Sequence, residues 1–141
     1  MARIKIHLPE GPALFSTFID VRIDDINYGN HLGNDTILRY FHETRLRFLK
    51  SKDSSEMDIL GHAVIMADTA ISYKSESFHG DQLKVDLYCE DFHRYGFDFT
   101  YKITRGTHEI ARGKTGMIFF DYRARKIKPA PDKIQNFFYP T

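Results

Sequence analysis

The spacing of apolar and polar positions changes period several times along this chain, and each change marks a predicted element. Ile4 and Ile6 allow a short first strand before the break at Pro9–Pro12, and residues 13–25 read as a second, with Phe15, Ile19, Val21 and Ile23 as its apolar positions. A polar stretch follows, Asn27-Tyr28-Gly29-Asn30-His31-Leu32-Gly33-Asn34. The period then becomes helical. Over residues 35–50, Ile37, Tyr40, Phe41, Thr44 and Phe48 fall at i, i+3, i+4, i+7 and i+11, one face of a helix that Asn34 or Asp35 can cap. The polar run KSKDSSEMDILG ends it.

Four strand-like segments come next, at 62–75, 82–92, 97–104 and 109–121. The last alternates Ala111, Gly113, Thr115, Met117 and Phe119 on one side. The connectors His79-Gly80-Asp81, His93–Gly96 and Arg105-Gly106-Thr107 read as hairpin turns. Pro129 and Pro131 stop the strand pattern, and a short helical tail follows. A strand, one long helix and a run of strands predict an α+β domain: an antiparallel sheet with a single helix against one face.

Composition narrows the chemistry. At 141 residues the chain is long enough for one domain, residues 1–141, with one core. Twenty Lys and Arg against 19 Asp and Glu give a net charge of +1, so no electrostatic footprint for nucleic acid is expected. The single cysteine, Cys89, excludes an internal disulfide and a cysteine metal framework, and it reads as a small core residue. The histidines show no ligand spacing, so no metal is expected. There is no apolar run of transmembrane length and no signal-peptide pattern, so the expected compartment is the cytoplasm. Gly113-Lys114-Thr115 lacks the upstream glycine of a phosphate-binding loop, and no Gly-x-Ser-x-Gly exists for a serine nucleophile.

The polar stretch before the helix holds the chemistry that remains. It delivers Asn, His and carboxylate side chains, together with free backbone N–H groups, to a helix N-terminus, where an anion or polarised carbonyl would bind. The segment VRIDDINYGNHLGNDTILRYFHETRLRFL also resembles the signature of the hotdog-fold thioesterases, the 4-hydroxybenzoyl-CoA thioesterase-like branch, which reads roughly D-x-D-x-x-G-H-V-N-N-x-x-Y-x-x-Y-x-E-x-A-R. His31 takes the place of its His, Asn34 of its second Asn, and Glu43 and Arg45 of its Glu and Arg. Tyr73 followed by Gly80-Asp81-Gln82-Leu83-Lys84-Val85 resembles a second element, Y…GD-x-L-x-V.

The resemblance implies a hotdog fold, a curved antiparallel sheet wrapped around one long helix. It implies acyl-CoA or aryl-CoA hydrolysis to free acid and thiol, with coenzyme A present only as part of the substrate. It further implies a homodimer or homotetramer with the site between subunits. Two rival readings are a non-catalytic hotdog protein that binds acyl thioesters and a hotdog dehydratase or hydratase.

The departures from the pattern matter as well. Where the bacterial enzymes have their catalytic Asp, this chain has Asn27, and an amide cannot serve as a general base or nucleophile. In the plant acyl-ACP type an Asp, an Asn and a His are spaced two apart; here those places hold Asn27, Gly29 and His31. The base is therefore expected among other carboxylates: Asp25 beside the loop, Glu43 on the helix, and then Glu76 on the next strand. Glu43 has a structural alternative in pairing with Arg39 or Arg47. Asp25 is expected on the opposite strand face from Asp24. His31 could orient or deprotonate water, or fix the loop. Asn27 could position water, or shape an Asx turn. The Asn34 amide is the expected oxyanion donor, with Gly33 letting the chain approach closely. Tyr73 is expected to contact substrate. Arg123 and Arg125, in a basic run with Lys126 and Lys128, would meet the phosphates of coenzyme A or simply be a solvated strand end.

Overall fold

The computed structural model describes residues 3–140. Its elements in chain order are β1 (Phe15–Asp20), a 3-10 turn (Ile23–Asp25), α1 (Asn34–Ser51), β2 (Ala63–Tyr73), β3 (Gln82–His93), β4 (Gly96–Arg105), β5 (His108–Asp121), β6 (Lys126–Ile127) and α2 (Ile134–Phe138). All strand pairs are antiparallel, in the order β1-β3-β4-β5-β2, with the short β6 against β5.

The helical stripe is buried as the spacing predicts. Ile37, Tyr40, Phe41, Thr44 and Phe48 all face the sheet. Phe41 meets the inner face of β5, where Gly113 leaves room for its ring: a Cβ on Gly113 would lie 2.1 Å from it. Phe41 in turn stacks on Tyr101 of β4, centroids 4.1 Å apart. Burial of a large side chain of this kind contributes about 1.5–3 kcal/mol. The tail helix α2 adds Phe138, packed among Phe48, Phe97 and Phe99.

A polar network crosses this core. Arg45 is 5% exposed and donates to Glu56 Oε2 at 3.3 Å and to the Tyr101 hydroxyl at 3.2 Å. The Tyr101 hydroxyl also bonds Thr115 Oγ1, at 2.7 Å. Burial pushes the Tyr101 phenol up to about 12, against the opposing pull of Arg45. No described helix is long and apolar enough to cross a membrane.

The structure departs from the sequence expectations in four places. Residues 4–6 form no strand; Ile4 is exposed, and the Ile6 carbonyl accepts a bond from Arg112. The strand expected to run to residue 25 leaves the sheet after Asp20, because Asp25 Oδ2 accepts the Arg22 amide at 3.0 Å and winds a 3-10 turn. The turn at His79–Asp81 joins β2 to β3, but these strands are not paired, so it is no hairpin. Asp81 holds it instead, accepting the Phe78 amide and the hydroxyl of Ser77, while Gly80 supplies a φ of +88°. These bonds, the Phe78 amide foremost, hold the Asp81 carboxyl below its ordinary range. Finally, α1 begins at Asn34 with Gly33 as its N-cap, so neither Asn34 nor Asp35 caps it.

Candidate active site

A pocket of about 400 Å³ opens where the first turn of α1, the end of β2 and the start of β5 converge. Its walls are Asn27, His31, Leu32, Asn34 and Ile37 on one side, Tyr73 to Ser77 on another, and Ile110.

The loop before α1 is built by Asn27. Its Oδ1 accepts the Gly29 amide at 2.9 Å and the His31 amide at 3.2 Å, and its own amide donates to the His31 carbonyl at 2.8 Å. The Asx-turn reading is therefore the one the geometry carries, since the side-chain oxygen is fully committed to the loop. Asn30 completes the turn at a φ of +67°. The Leu32 amide then donates to the Ser77 carbonyl, and the Gly33 amide to the Asp25 carbonyl. A Cβ on Gly33 would lie 2.7 Å from Asp35 Oδ1, so the chain packs closely at this glycine.

At the helix start the Thr36 amide turns back to the Gly33 carbonyl. Among the described residues no acceptor takes the Asn34 or Asp35 amide. Such orphan donors carry the positive end of the helix dipole. The Tyr73 hydroxyl donates to the Asn34 carbonyl at 3.1 Å and ties β2 to this turn. Burial, and then nearby Asp35, raise the Tyr73 phenol.

The opposite wall owes its shape to β5. Its register slips between Ile103 and Thr104, leaving Ile110 without a partner. The Ile110 carbonyl receives both the Lys74 amide, at 2.8 Å, and the Ser75 amide, at 3.2 Å. This turns the chain out of β2 and carries Glu76 over the loop, where Glu76 Oε2 lies 3.2 Å from His31 Nδ1. The two atoms lack the alignment of a hydrogen bond, and among the described residues Nδ1 is buried with no other partner. Gly29 lies against the opposite edge of the ring, its Cβ position 3.2 Å from Cδ2 and 3.9 Å from Nε2. The missing side chain leaves that edge open.

Of the residues singled out in the sequence, Asn27, His31, Asn34, Tyr73 and Glu76 thus meet in one pocket, with Gly33 at the helix entry beside it. Three carboxylates are candidates for the base by sequence, and only Glu76 is there. Asp25 is 7% exposed and faces away; its carboxylate accepts from the Tyr40 hydroxyl at 2.7 Å as well as from Arg22. Burial, with Asp25 second, raises the Tyr40 phenol. Glu43 pairs with Arg47 at 2.6 Å in a separate groove between α1 and β1, the structural alternative given for it. Arg123 and Arg125 lie in the β5–β6 turn, where Arg123 borders a different cleft with His62 and Lys128. Sequence reasoning missed Leu32, Ile37, Lys74, Ser75, Ser77 and Ile110 as pocket residues. Ile110 carried no signal, because a bulge cannot be seen in an alternating pattern. Among the described residues no group of three or more His, Cys, Asp or Glu is gathered as a metal site.

Comparison with known proteins bears on the fold and the family. The fold matches that of a 1,4-dihydroxy-2-naphthoyl-CoA thioesterase from Synechocystis at a TM-score of 0.79 and 21% identity, over 89% of this chain and 96% of that one. It matches a thioesterase from Thermus thermophilus, complexed with coenzyme A and Zn, at a TM-score of 0.79 and 20% identity, over 92% and 95%. A curated protein of Aquifex aeolicus (strain VF5), named "Putative esterase", is 33% identical over 79 residues, a stretch covering 55% of this chain and 62% of that protein. The curved sheet around one main helix is the hotdog fold of these structures. A family model described as the thioesterase-like superfamily matches residues 21–138, and the chain belongs to that superfamily.

Proposed function

We propose that this chain hydrolyses the thioester of an acyl-coenzyme A to the free acid and coenzyme A. The observation that carries the reading is the meeting, in one pocket, of Asn34, whose amide is unpaired among the described residues, with the His31–Glu76 pair. The thioester carbonyl oxygen sits against the Asn34 and Asp35 amides. Water attacks the carbonyl carbon as His31 takes its proton at Nε2, with Glu76 facing Nδ1. The tetrahedral oxyanion is held by the helix amides. It collapses, the C–S bond breaks, and the thiolate leaves, taking the proton back from the imidazolium or from solvent. A thiolate leaves well enough that no separate strong acid is required. A CoA ester is charged and does not cross membranes, which goes with work in the cytoplasm. In a panel of acyl-CoA and aryl-CoA thioesters, thiol release should be catalysed for at least one member. Tight binding without thiol release would make the protein a thioester-binding module instead.

The same reading includes a homodimer. β2 is an edge strand of 11 residues, AVIMADTAISY, with one charge and neither Lys nor Pro. Natural edges are normally guarded by such residues. The other edge, β1, is guarded: Arg47 donates to the Phe18 carbonyl and Thr17 Oγ1. A second copy continuing the sheet antiparallel across β2 covers this edge, which is interrupted only by the register shift between Met66 and Asp68. It also resolves the position of the basic turn. Ile110 and Phe120 stand ten positions apart on β5, roughly 33 Å of strand, so Arg123 and Arg125 are remote from their own pocket. Antiparallel pairing brings the Ala63 end of one copy, beside Arg123, toward the Tyr73 end of the other. Phosphates of a bound CoA would then meet the second copy's Arg123 and Arg125. Light scattering at micromolar concentration should give at least a dimer; a monomer there contradicts the arrangement.

A further inference from the structure

The inner end of the pocket is closed by this chain alone. Ile37 and Ile110 line it and are each 2% exposed. One turn beyond Ile37 stands Phe41, filling the space over Gly113 and stacked on Tyr101. Packing of this density leaves no channel between helix and sheet. Ile110 reaches the floor through the β5 bulge, a device that re-aims one side chain. Ile37 lies three residues past Asn34, about 4.5 Å along the helix axis at 1.5 Å per residue. The distance from the oxyanion donor to the floor is therefore that of a few carbons or one ring.

We propose that Ile37 and Ile110 act as a floor that restricts the substrate to compact acyl groups, a short chain or a single ring. This rests on the reading of the pocket as a thioester site, and it adds a substrate class and the two side chains that set it. A second copy of the chain can add walls at the mouth, but behind the floor is this chain's own core. Carbons added beyond the floor must turn back toward water, where they forfeit the gain of burial, roughly fourfold in affinity per methylene.

The test uses S-alkyl-CoA thioethers, from S-methyl to S-decyl, which bind without being hydrolysed. In the wild-type protein, calorimetric affinity should rise about threefold to fourfold per carbon over the first few carbons and then level off or fall. Ile37→Ala and Ile110→Ala should each shift that break by about two carbons or more. Ile37→Val and Ile110→Val, which preserve more of the packing, should shift it less in the same direction, and circular dichroism identifies the folded variants. Affinity that climbs unbroken to S-decyl in the wild type, or a break that stays put in every folded variant, overturns the floor. A clear break that moves, with no thiol release from the matching short thioesters, leaves the floor standing and removes the hydrolase reading alone.

Discussion

Replacing His31 by alanine is expected to lower kcat for thiol release by about a hundredfold to ten-thousandfold, the scale typical of losing a general base, with a smaller change in KM. Glu76→Gln should also lower kcat, by less than His31→Ala, because it keeps a group facing Nδ1 while removing its charge. The expectation rests on one contact, Glu76 Oε2 to Nδ1 at 3.2 Å, and on the open Nε2 edge beside Gly29. Asp25→Asn and Glu43→Gln are the controls. Asp25 holds Arg22 and Tyr40 and Glu43 holds Arg47, so neither change should approach the His31 effect on kcat. Added imidazole should restore part of the activity of His31→Ala. If His31→Ala keeps kcat within about threefold of wild type, the imidazole is not the base. If Glu76→Gln loses more than His31→Ala, the carboxylate itself takes the proton.

The largest effect on stability is expected at Arg45. Arg45→Ala should cost about 3–5 kcal/mol in urea unfolding, the usual penalty for removing one partner of a buried charged pair. Its side chain is 6% exposed, and its loss leaves Glu56 without Arg45 and the Tyr101 hydroxyl with Thr115 as its one remaining side-chain partner among the described residues. His42 still faces Glu56 at 2.9 Å, but from a half-exposed position that cannot fill the gap in the core. The double variant Arg45→Met, Glu56→Gln should recover much of the loss, since it removes both charges. A loss below about 1 kcal/mol for Arg45→Ala would mean that the network is not sustaining the core.

What the sequence made legible follows from periodicity. The helix was readable because Ile37, Tyr40, Phe41, Thr44 and Phe48 must share a face at 3.6 residues per turn, and all are buried. β5 was readable because Gly113, Thr115, Met117 and Phe119 recur at period two and share one buried face. What stayed hidden depends on single tertiary bonds. Asp25 was expected on a strand beside the loop, and only its bonds to the Arg22 amide and the Tyr40 hydroxyl take it into a 3-10 turn and away from the pocket. The loop residues Asn27, His31 and Asn34 were legible, because a polar loop ahead of a helix announces itself. The ranking of the candidate bases was not: Glu76 reaches His31 only because the Ile110 carbonyl gathers two amides. Arg45 takes the place of the motif's Arg, but its partners were hidden, since Glu56 sits in a polar run and Tyr101 lies on a distant strand.

The pairing of β2 with β5 bears on how the molecule assembles. Met66 lies opposite Met117, with β3 and β4 wholly inside the loop that this pairing closes. Contacts of such long sequence separation carry the heaviest closure entropy and form slowly. The β3–β4 and β4–β5 hairpins can form locally, but the Ile110 carbonyl has no Lys74 or Ser75 amide to receive until β2 has docked. The wall of the pocket that holds Glu76 is therefore among the last parts of the molecule to be built. A chain that has collapsed and gained most of its sheet would still have no site, and recovery of binding on refolding should trail the recovery of secondary structure.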